Sequence, residues 1–221
     1  MSDALDDLVR EFLAALGPVV SNDGAETFED LPDRLRDALI TRAVEPVSLP
    51  VVDSWLGAAV AGVPAQWAGL AEALLEAAPV LNWMRAYEHF HATPEVESFR
   101  GHYAFAALAG PVFRGRTPPF LAEDLLVGFS IQAPGVTYPA HHHESPELYG
   151  VMNGELEWQV GVTWSTRRAG DVVLHRSHES HAMVTGSTPV LAWACWSRNP
   201  HCHVYMPSLD PADNTMEPVG Y

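Results

Sequence analysis

Apolar residues in the N-terminal part of the chain recur at the spacing of amphipathic helices. Leu5, Leu8 and Phe12, for example, lie three and four residues apart and would share one helical face. We predict three helices from such spacing, over residues 4–16, 27–40 and 65–89. The third is rich in alanine, and we expect Pro79 to kink or divide it because proline lacks a backbone N–H.

After Pro118 and Pro119 the pattern changes to short apolar runs separated by glycine, proline and polar residues. This pattern is typical of an antiparallel sheet, and several runs alternate apolar and polar residues with a period of two. Asn153-Gly154 is a strong signal for a tight turn. We predict strands over residues 125–132, 138–143, 147–152, 155–162, 171–175, 181–185 and 190–197.

A chain of 221 residues is more consistent with one domain and an appended segment than with two domains. We expect a helical N-terminal segment over residues 1–120 that packs on a β-barrel over residues 121–206. Residues 207–221 have little apolar patterning and are expected to form a tail across the surface. The predicted fold is therefore mainly β, preceded by α-helix.

The composition excludes several classes of protein. The net charge of −16, from 28 acidic and 12 basic residues, argues against nucleic acid and anionic membrane surfaces as partners. No apolar run approaches the ~18 residues of a membrane span, and the acidic N-terminus lacks the basic region of a signal peptide. Cys195 and Cys202 are too few for a disulfide framework. We expect a soluble, cytoplasmic protein.

Candidate chemistry is concentrated in residues 135–154. His141 and His143 are two residues apart on a predicted strand, so both imidazoles project from the same face. A turn follows, and Glu147 and Tyr149 share a face at the start of the next strand. A hairpin would bring the two imidazoles, the carboxylate and the phenol together. This mixture of nitrogen and oxygen donors suits one divalent ion, such as zinc, iron, manganese or nickel.

The same segment resembles the cupin family. The first cupin signature has a glycine, five residues, His-x-His, three residues, glutamate, six residues and a glycine. The matching residues are Gly135, His141, His143, Glu147 and Gly154, without a gap. The resemblance implies a double-stranded β-helix, or jelly-roll barrel, in which the two histidines and the glutamate bind a metal.

The second cupin signature is only partly present. Gly170 and His181 fit it, which implies that His181 is the fourth ligand. Its proline, second glycine and asparagine are replaced by Arg176, His178 and Thr185. Since this half is degenerate, His178 and His175 compete with His181 for that role.

Two tyrosines make the resemblance specific to one group of cupins. Tyr138 lies three residues before the first ligand, and Tyr149 lies two residues after the glutamate. This arrangement resembles the cupin-type lyases that cleave dimethylsulfoniopropionate, a sulfonium zwitterion, into dimethyl sulfide and acrylate. In that family the residues matching His141, His143, Glu147 and His181 bind the metal, and those matching Tyr138 and Tyr149 bind or deprotonate the substrate.

The chemistry of this β-elimination is consistent with such a site. The difficult step is to remove a proton beside a carboxylate, and a divalent metal can withdraw charge from that group. The pKa of a free tyrosine is about 10, and a nearby metal can lower it; we rank Tyr149 first as the base and Tyr138 second. Aromatic faces can hold the sulfonium group. The candidates on predicted strands are Trp158, Trp193 and Trp196.

Other functions stay open at this point. An iron-dependent cupin dioxygenase acting on a thiol or small acid, or a metal-dependent sugar isomerase, would use the same ligands. A non-catalytic ligand-binding cupin is a third alternative, although no basic helix pair typical of a DNA-binding regulator is present. A second His-x-His, His201 and His203, has no carboxylate nearby, and we expect it to be structural. Cupins often pair through sheet edges, so a homodimer also remains open.

Overall fold

The computed structural model describes residues 2–22, 28–40, 44–87, 93–112 and 116–207. Within these ranges the helices are α1 (Ser2–Asn22), α2 (Leu31–Asp37), α3 (Pro50–Ala61), α4 (Ala68–Ala77) and α5 (Pro94–Gly101). Helix α1 buries Leu5, Leu8 and Phe12, the residues whose spacing predicted it. None of these helices is by itself long and apolar enough to cross a membrane; α3 and the stretch 65–80 reach that length and apolarity only together, across a bend of 120°.

The strands form two sheets that face each other. They are β1 (Leu39–Ile40), β2 (Trp83–Met84), β3 (Tyr103–Gly110), β4 (Phe120–Leu121), β5 (Leu125–Gln132), β6 (Thr137–His143), β7 (Glu147–Asn153), β8 (Glu155–Val160), β9 (Thr163–Arg168), β10 (Val172–His175), β11 (His181–Thr185), β12 (Val190–Ser197) and β13 (Val204–Tyr205). The larger sheet has the order β1-β4-β3-β5-β12-β7-β10, with β2 beside β3, and the smaller has the order β13-β6-β11-β8-β9. All seven predicted strands are present, and β5, β11 and β12 have the predicted bounds.

Two of the predicted helices are shorter than their patterns indicated. Helix α2 ends at Asp37, because Leu39–Ile40 pairs with β4 and joins the larger sheet instead. Helix α4 ends at Ala77, and Pro79 lies in the short 3-10 turn Ala78–Val80 that follows it. The rest of the third predicted helix is not helical up to residue 87, where it contains β2 and turns, and 88–89 fall outside the described residues.

The segment 1–120, which we expected to be helical, also contributes strands to the larger sheet. Strand β3 pairs with β5 along most of its length and with β2 on its other side. It contains four alanines, a residue that favours helices, but the strand is almost entirely buried, and tertiary packing overrides that weak preference. The described part of the chain ends at Pro207, so the predicted tail lies outside it.

The helices cover the outer face of the larger sheet. Phe12 of α1 meets the rings of Phe129 and Trp193 edge to face, each with ring centroids 5.9 Å apart. Trp193 lies opposite Gly150 on the neighbouring strand, where a Cβ atom would come within 2.0 Å of the indole. Gly150 lies on the face of β7 that is turned toward the helices. Since side chains alternate along a strand, Glu147 and Tyr149 lie on the opposite, inner face, toward the smaller sheet.

Candidate metal centre and active site

The four predicted ligands come together between the two sheets. His141 and His143 project from β6, and His181 lies opposite His141 on the adjacent strand β11 of the same sheet. Glu147 comes from β7 of the larger sheet. All four side chains are buried. The smaller sheet therefore supplies the imidazoles, and the larger sheet supplies the carboxylate.

The donor atoms converge on one point. The Nε2 atoms of His143 and His181 each lie 3.2 Å from Oε2 of Glu147. One ring nitrogen from each of His141, His143 and His181 lies within 4.8 Å of those of the other two. This spacing is compact enough for the three imidazoles to bind one ion together with the carboxylate.

Main-chain carbonyl groups fix the orientation of the three imidazoles. Each ring donates its Nδ1–H to a carbonyl oxygen, so the neutral ring keeps the lone pair on Nε2. The pairs are His141 with Pro139 (2.9 Å), His143 with Ser145 (2.8 Å) and His181 with Glu179 (2.8 Å). Among the described residues, Nε2 of His181 is buried without a hydrogen-bond partner. Converging lone pairs beside a carboxylate repel one another unless a cation lies between them, so these residues fit a divalent ion.

The electrostatics of the cluster keep the ligands in the states that bind metals. Burial, together with the neighbouring His181 and His143, lowers the pKa of His141 well below its ordinary value. Burial opposes ionisation of Glu147, but the neighbouring imidazoles of His143, His175 and His181 outweigh it and hold the pKa of this carboxyl well below its usual range. Near neutral pH the imidazole of His141 is therefore neutral and the carboxyl group of Glu147 is ionised.

A fifth residue, His175, belongs to the cluster. It lies opposite Glu147 on β10, with Nδ1 3.3 Å from Oε2 of that residue, and its ring stacks on His181 at 3.8 Å. Burial and the neighbouring His181 lower the pKa of His175 to about 4. The sequence indicated His175 only as a competitor of His181. The other competitor, His178, is exposed and lies outside the two groups of potential ligands.

A pocket of about 210 Å³ leads to this cluster, and His141 and Glu147 form part of its wall. Six tyrosine, phenylalanine and tryptophan side chains line it. They are Tyr87, Tyr103, Phe105, Tyr138, Tyr149 and Trp196. A pocket of this size and character suits a small, partly apolar molecule.

The two predicted catalytic tyrosines both line the pocket. Tyr138 stacks on His141 with ring centroids 4.3 Å apart, and its hydroxyl contacts that of Tyr87. Tyr149 lies on β7 beside Glu147 and packs edge to face on Trp158. Burial raises the pKa of both tyrosines well above the ordinary value, and the charge of Glu147 raises that of Tyr149 further. The protein groups by themselves therefore oppose formation of a tyrosinate.

The three predicted tryptophans have different positions. Trp196 lines the pocket and donates its indole N–H to Oε1 of Glu147 at 2.5 Å. Trp158 and Trp193 are fully buried and do not line the pocket, so the structure does not support contact between either of them and a substrate. Trp193 faces the helices, on the opposite side of β12 from Trp196. Trp158 faces inward but lies behind His175.

The sequence did not indicate several residues of the pocket wall. Tyr87 lies in a stretch predicted as helix and follows no periodic pattern, so only the structure shows it beside Tyr138. His201 and His203 also line the pocket, and Nε2 of His201 is 3.5 Å from a carboxylate oxygen of Glu123. Neither histidine belongs to a group of potential metal ligands among the described residues.

The two facing sheets and the cluster between them define a mainly β protein that carries a buried histidine and glutamate centre. Within this class, a family model described as dimethylsulfoniopropionate (DMSP) lyase matches residues 25–192. The chain therefore belongs to the DMSP lyase family, and it is a carbon–sulfur lyase.

Individual relatives agree with this assignment. DddL from Cereibacter sphaeroides, provisionally named as a DMSP lyase, is 30% identical over 204 residues, which cover 86% of this chain and 80% of the relative. DddQ from Ruegeria pomeroyi, named as a DMSP lyase, is 26% identical over 198 residues, which cover 87% of this chain and 89% of the relative. The crystal structure of that DddQ matches with a TM-score of 0.75 at 23% identity, covering 95% of this chain and 99% of the other, which shows a shared fold.

Proposed function

We propose that this protein cleaves DMSP to dimethyl sulfide and acrylate by a metal-dependent β-elimination, with a tyrosine as the base. The ligands would be His141, His143, Glu147 and His181. The observation that carries the proposal is the position of two tyrosines, Tyr138 and Tyr149, beside the buried cluster in the same small pocket. Membership of the DMSP lyase family favours this reaction over the dioxygenase, isomerase and non-catalytic alternatives.

The pocket suits a zwitterion that has a cationic sulfonium at one end. The ring faces of Tyr87, Phe105 and Trp196 line the pocket, and aromatic faces attract a cation without a fixed counter-charge that would trap it. The carboxylate of the substrate would lie toward the cluster. A divalent cation bound there supplies positive charge that offsets the charge of Glu147 and draws electron density from the substrate carboxylate.

Tyr149 is the better candidate for the base. It follows Glu147 by two residues on β7 and faces the same side of the sheet, so its hydroxyl lies at the cluster end of the pocket. Tyr149 would react as the tyrosinate, which the charge of a cation held by the ligands would favour. It would accept the proton from the carbon next to the carboxylate. The C–H electron pair forms the double bond of acrylate, the C–S bond breaks, and its pair leaves on neutral dimethyl sulfide. The tyrosine then releases the proton to water.

Tyr138 is better placed to bind substrate than to take its proton. Its ring lies almost parallel to the imidazole of His141, at an interplanar angle of 8°, and its hydroxyl is engaged with that of Tyr87. These two contacts hold Tyr138 at one face of its ring and at its hydroxyl group. Tyr138 would thus form one wall of the site and orient the substrate for Tyr149.

The proposal is tested by headspace chromatography of dimethyl sulfide, with purified protein loaded in turn with zinc, iron, manganese or nickel under argon. Tyr149→Phe is expected to keep its metal and lose turnover by about 10²–10⁴-fold, the usual contribution of a general base. His143→Ala is expected to lose the metal. His142→Ala is the matched control, because this neighbouring histidine lies outside the groups of potential ligands.

Three results would contradict parts of the proposal. Absence of dimethyl sulfide with every metal would exclude the lyase. Turnover that requires oxygen would indicate a dioxygenase. Full activity of Tyr149→Phe would transfer the role of base to Tyr138 or another group.

A further inference from the structure

The buried ring of His175 is held between Trp158 and Glu147. The indole Nε1 of Trp158 lies 2.9 Å from Nε2 of His175, and Nδ1 of His175 lies 3.3 Å from Oε2 of Glu147. All three side chains are at most 2% exposed. Stacking on His181, at 3.8 Å and an interplanar angle of 16°, restricts rotation of the His175 ring.

The chemistry of the indole fixes the direction of these hydrogen bonds. A tryptophan N–H can only donate, so it uses the lone pair on Nε2 of His175. The proton of the neutral imidazole is then on Nδ1, from which it is donated to Glu147. This is a different role from that of His141, His143 and His181, whose Nδ1–H groups bond to carbonyl oxygens and whose Nε2 lone pairs face the cluster.

We infer that His175 is a positioning residue that orients the carboxylate of Glu147 through a hydrogen bond, and that Trp158 holds His175 in the required tautomer. The inference rests on the role of Glu147 as a ligand in the proposed function. His175 is near enough to the cluster to be counted as a potential ligand, with Glu147 and His181. Its single lone pair is nevertheless occupied by Trp158, so it has none left for a cation.

The carboxylate of Glu147 is thereby held at both oxygens. Trp196 donates to Oε1, and His175 donates to Oε2. Donors that fix a ligand in this way typically change metal affinity by about 10–100-fold when they are removed. The Trp158–His175 pair would thus set how tightly the centre binds its ion, without touching either the ion or the substrate.

The test measures zinc binding, so it does not depend on lyase activity. The full chain is stripped of metal, and zinc stoichiometry and Kd are determined by competition with a chelator. His175→Leu removes the donor and is expected to keep one zinc per chain with a Kd raised about 10–100-fold. His175→Asn places an amide N–H near the position of Nδ1 and is expected to restore most of the affinity. Trp158→Phe keeps the aromatic packing but no longer fixes the tautomer of His175. It is expected to give a smaller rise in the Kd.

One control and two conservative variants separate a positioning role of His175 from damage to the fold. His178→Asn changes an exposed histidine three residues away, outside the cluster, to a residue that tolerates its φ of 62°, and it is expected to leave the Kd unchanged. If His175→Leu fails to fold, His175→Asn and Trp158→Phe still give the comparison, because each preserves a buried polar or aromatic group at its position.

The outcomes that overturn the inference are specific. Loss of zinc stoichiometry in both His175→Leu and His175→Asn would make His175 a ligand. An unchanged Kd in His175→Leu, or no recovery in His175→Asn, would remove the positioning role. A wild-type chain that binds zinc but releases no dimethyl sulfide would contradict the proposed reaction while leaving this comparison of affinities valid.

Discussion

The hydroxyl groups of Tyr87 and Tyr138 are hydrogen-bonded to each other in the wall of the pocket. Tyr87 comes from the segment before the barrel, and φ of 57° at this residue places its backbone in the left-handed region. The contact ties that segment to a tyrosine that stacks directly on His141. An otherwise inconspicuous residue therefore helps to hold one of the two candidate catalytic side chains.

Tyr87→Phe should weaken substrate binding and leave the metal in place. A hydrogen bond of this type contributes about 0.5–1.5 kcal/mol, so we expect the KM for DMSP to rise about 2–12-fold while the metal content stays unchanged. Initial rates of dimethyl sulfide release, measured beside elemental analysis, check this. Tyr205→Phe, at an exposed site on β13, is the control. A KM equal to that of the wild type would show that the contact is dispensable.

Two glycine substitutions should have opposite effects on stability. A Cβ at Gly150 would overlap the indole of Trp193, and overpacking of this kind costs about 1–3 kcal/mol. Gly57 lies within α3 with nothing within 4 Å of such an atom, and alanine there should stabilise the helix by up to about 1 kcal/mol. Urea unfolding of Gly150→Ala and Gly57→Ala measures both. A stable Gly150→Ala would mean that Trp193 can move aside.

Removal of the metal should lower the stability of the fold, because the candidate ligands come from both sheets. A ligand at 100 times its Kd stabilises the folded state by about 2.7 kcal/mol. The Tm of zinc-loaded protein should therefore exceed that of chelator-treated protein. His181→Ala, which removes a fully buried potential ligand, should show a much smaller rise on addition of zinc. An equal rise in this variant would exclude His181 as a ligand.

Acid should destabilise the metal-free protein in a defined pH window. Burial and His181 lower the pKa of His175 to about 4 in the folded state, against about 6.5 in the unfolded chain. The unfolded chain therefore binds more protons between these values, and the free energy of unfolding falls as the pH drops from about 6.5 to 4, by up to about 3 kcal/mol from His175 alone. The lowered pKa of His141 acts in the same direction.

Glu147 extends the loss of free energy of unfolding to lower pH. Its folded-state pKa is held below the usual range, so its contribution is present above the unfolded value of about 4.5 and disappears as the pH falls through the folded value. Urea unfolding from about pH 2.5 to 7.5 after treatment with a chelator tests both expectations. A flat stability over the range between 4 and 6.5 would mean that the imidazoles are not kept neutral by burial.

Local spacing predicted the parts of the site that lie close together in the chain. His141 and His143 share a face of β6, and Glu147 and Tyr149 share a face of β7, so strand geometry alone predicted each pair. The two strands do not pair as the hairpin that we expected; they lie in different sheets, and the packing of these sheets brings the two pairs together. The role of His175 depends on its register opposite Glu147, which lies 28 positions earlier in the chain. That register is set by tertiary pairing, and no spacing rule indicates it.

The errors in the prediction have a similar origin. Trp158, Trp193 and Trp196 all lie on correctly predicted strands, but tertiary packing decides which of them reaches the pocket: Trp193 faces the helices and Trp158 lies behind His175. Strand β3 was missed because an alanine-rich stretch has little β preference of its own and forms a strand by burial against β5. The cupin signature predicted the barrel around the ligands and not the strands that precede it in the chain.

The wall of the pocket that Tyr87, Tyr103 and Phe105 build comes from residues before the barrel proper. The candidate ligands and the candidate base come from β6, β7 and β11. Part of the pocket wall is therefore encoded apart from the reactive groups. Sequence drift upstream of residue 112 can reshape that part of the cavity without altering a single ligand, so the first half of the gene is one place where a change in accepted substrate would arise.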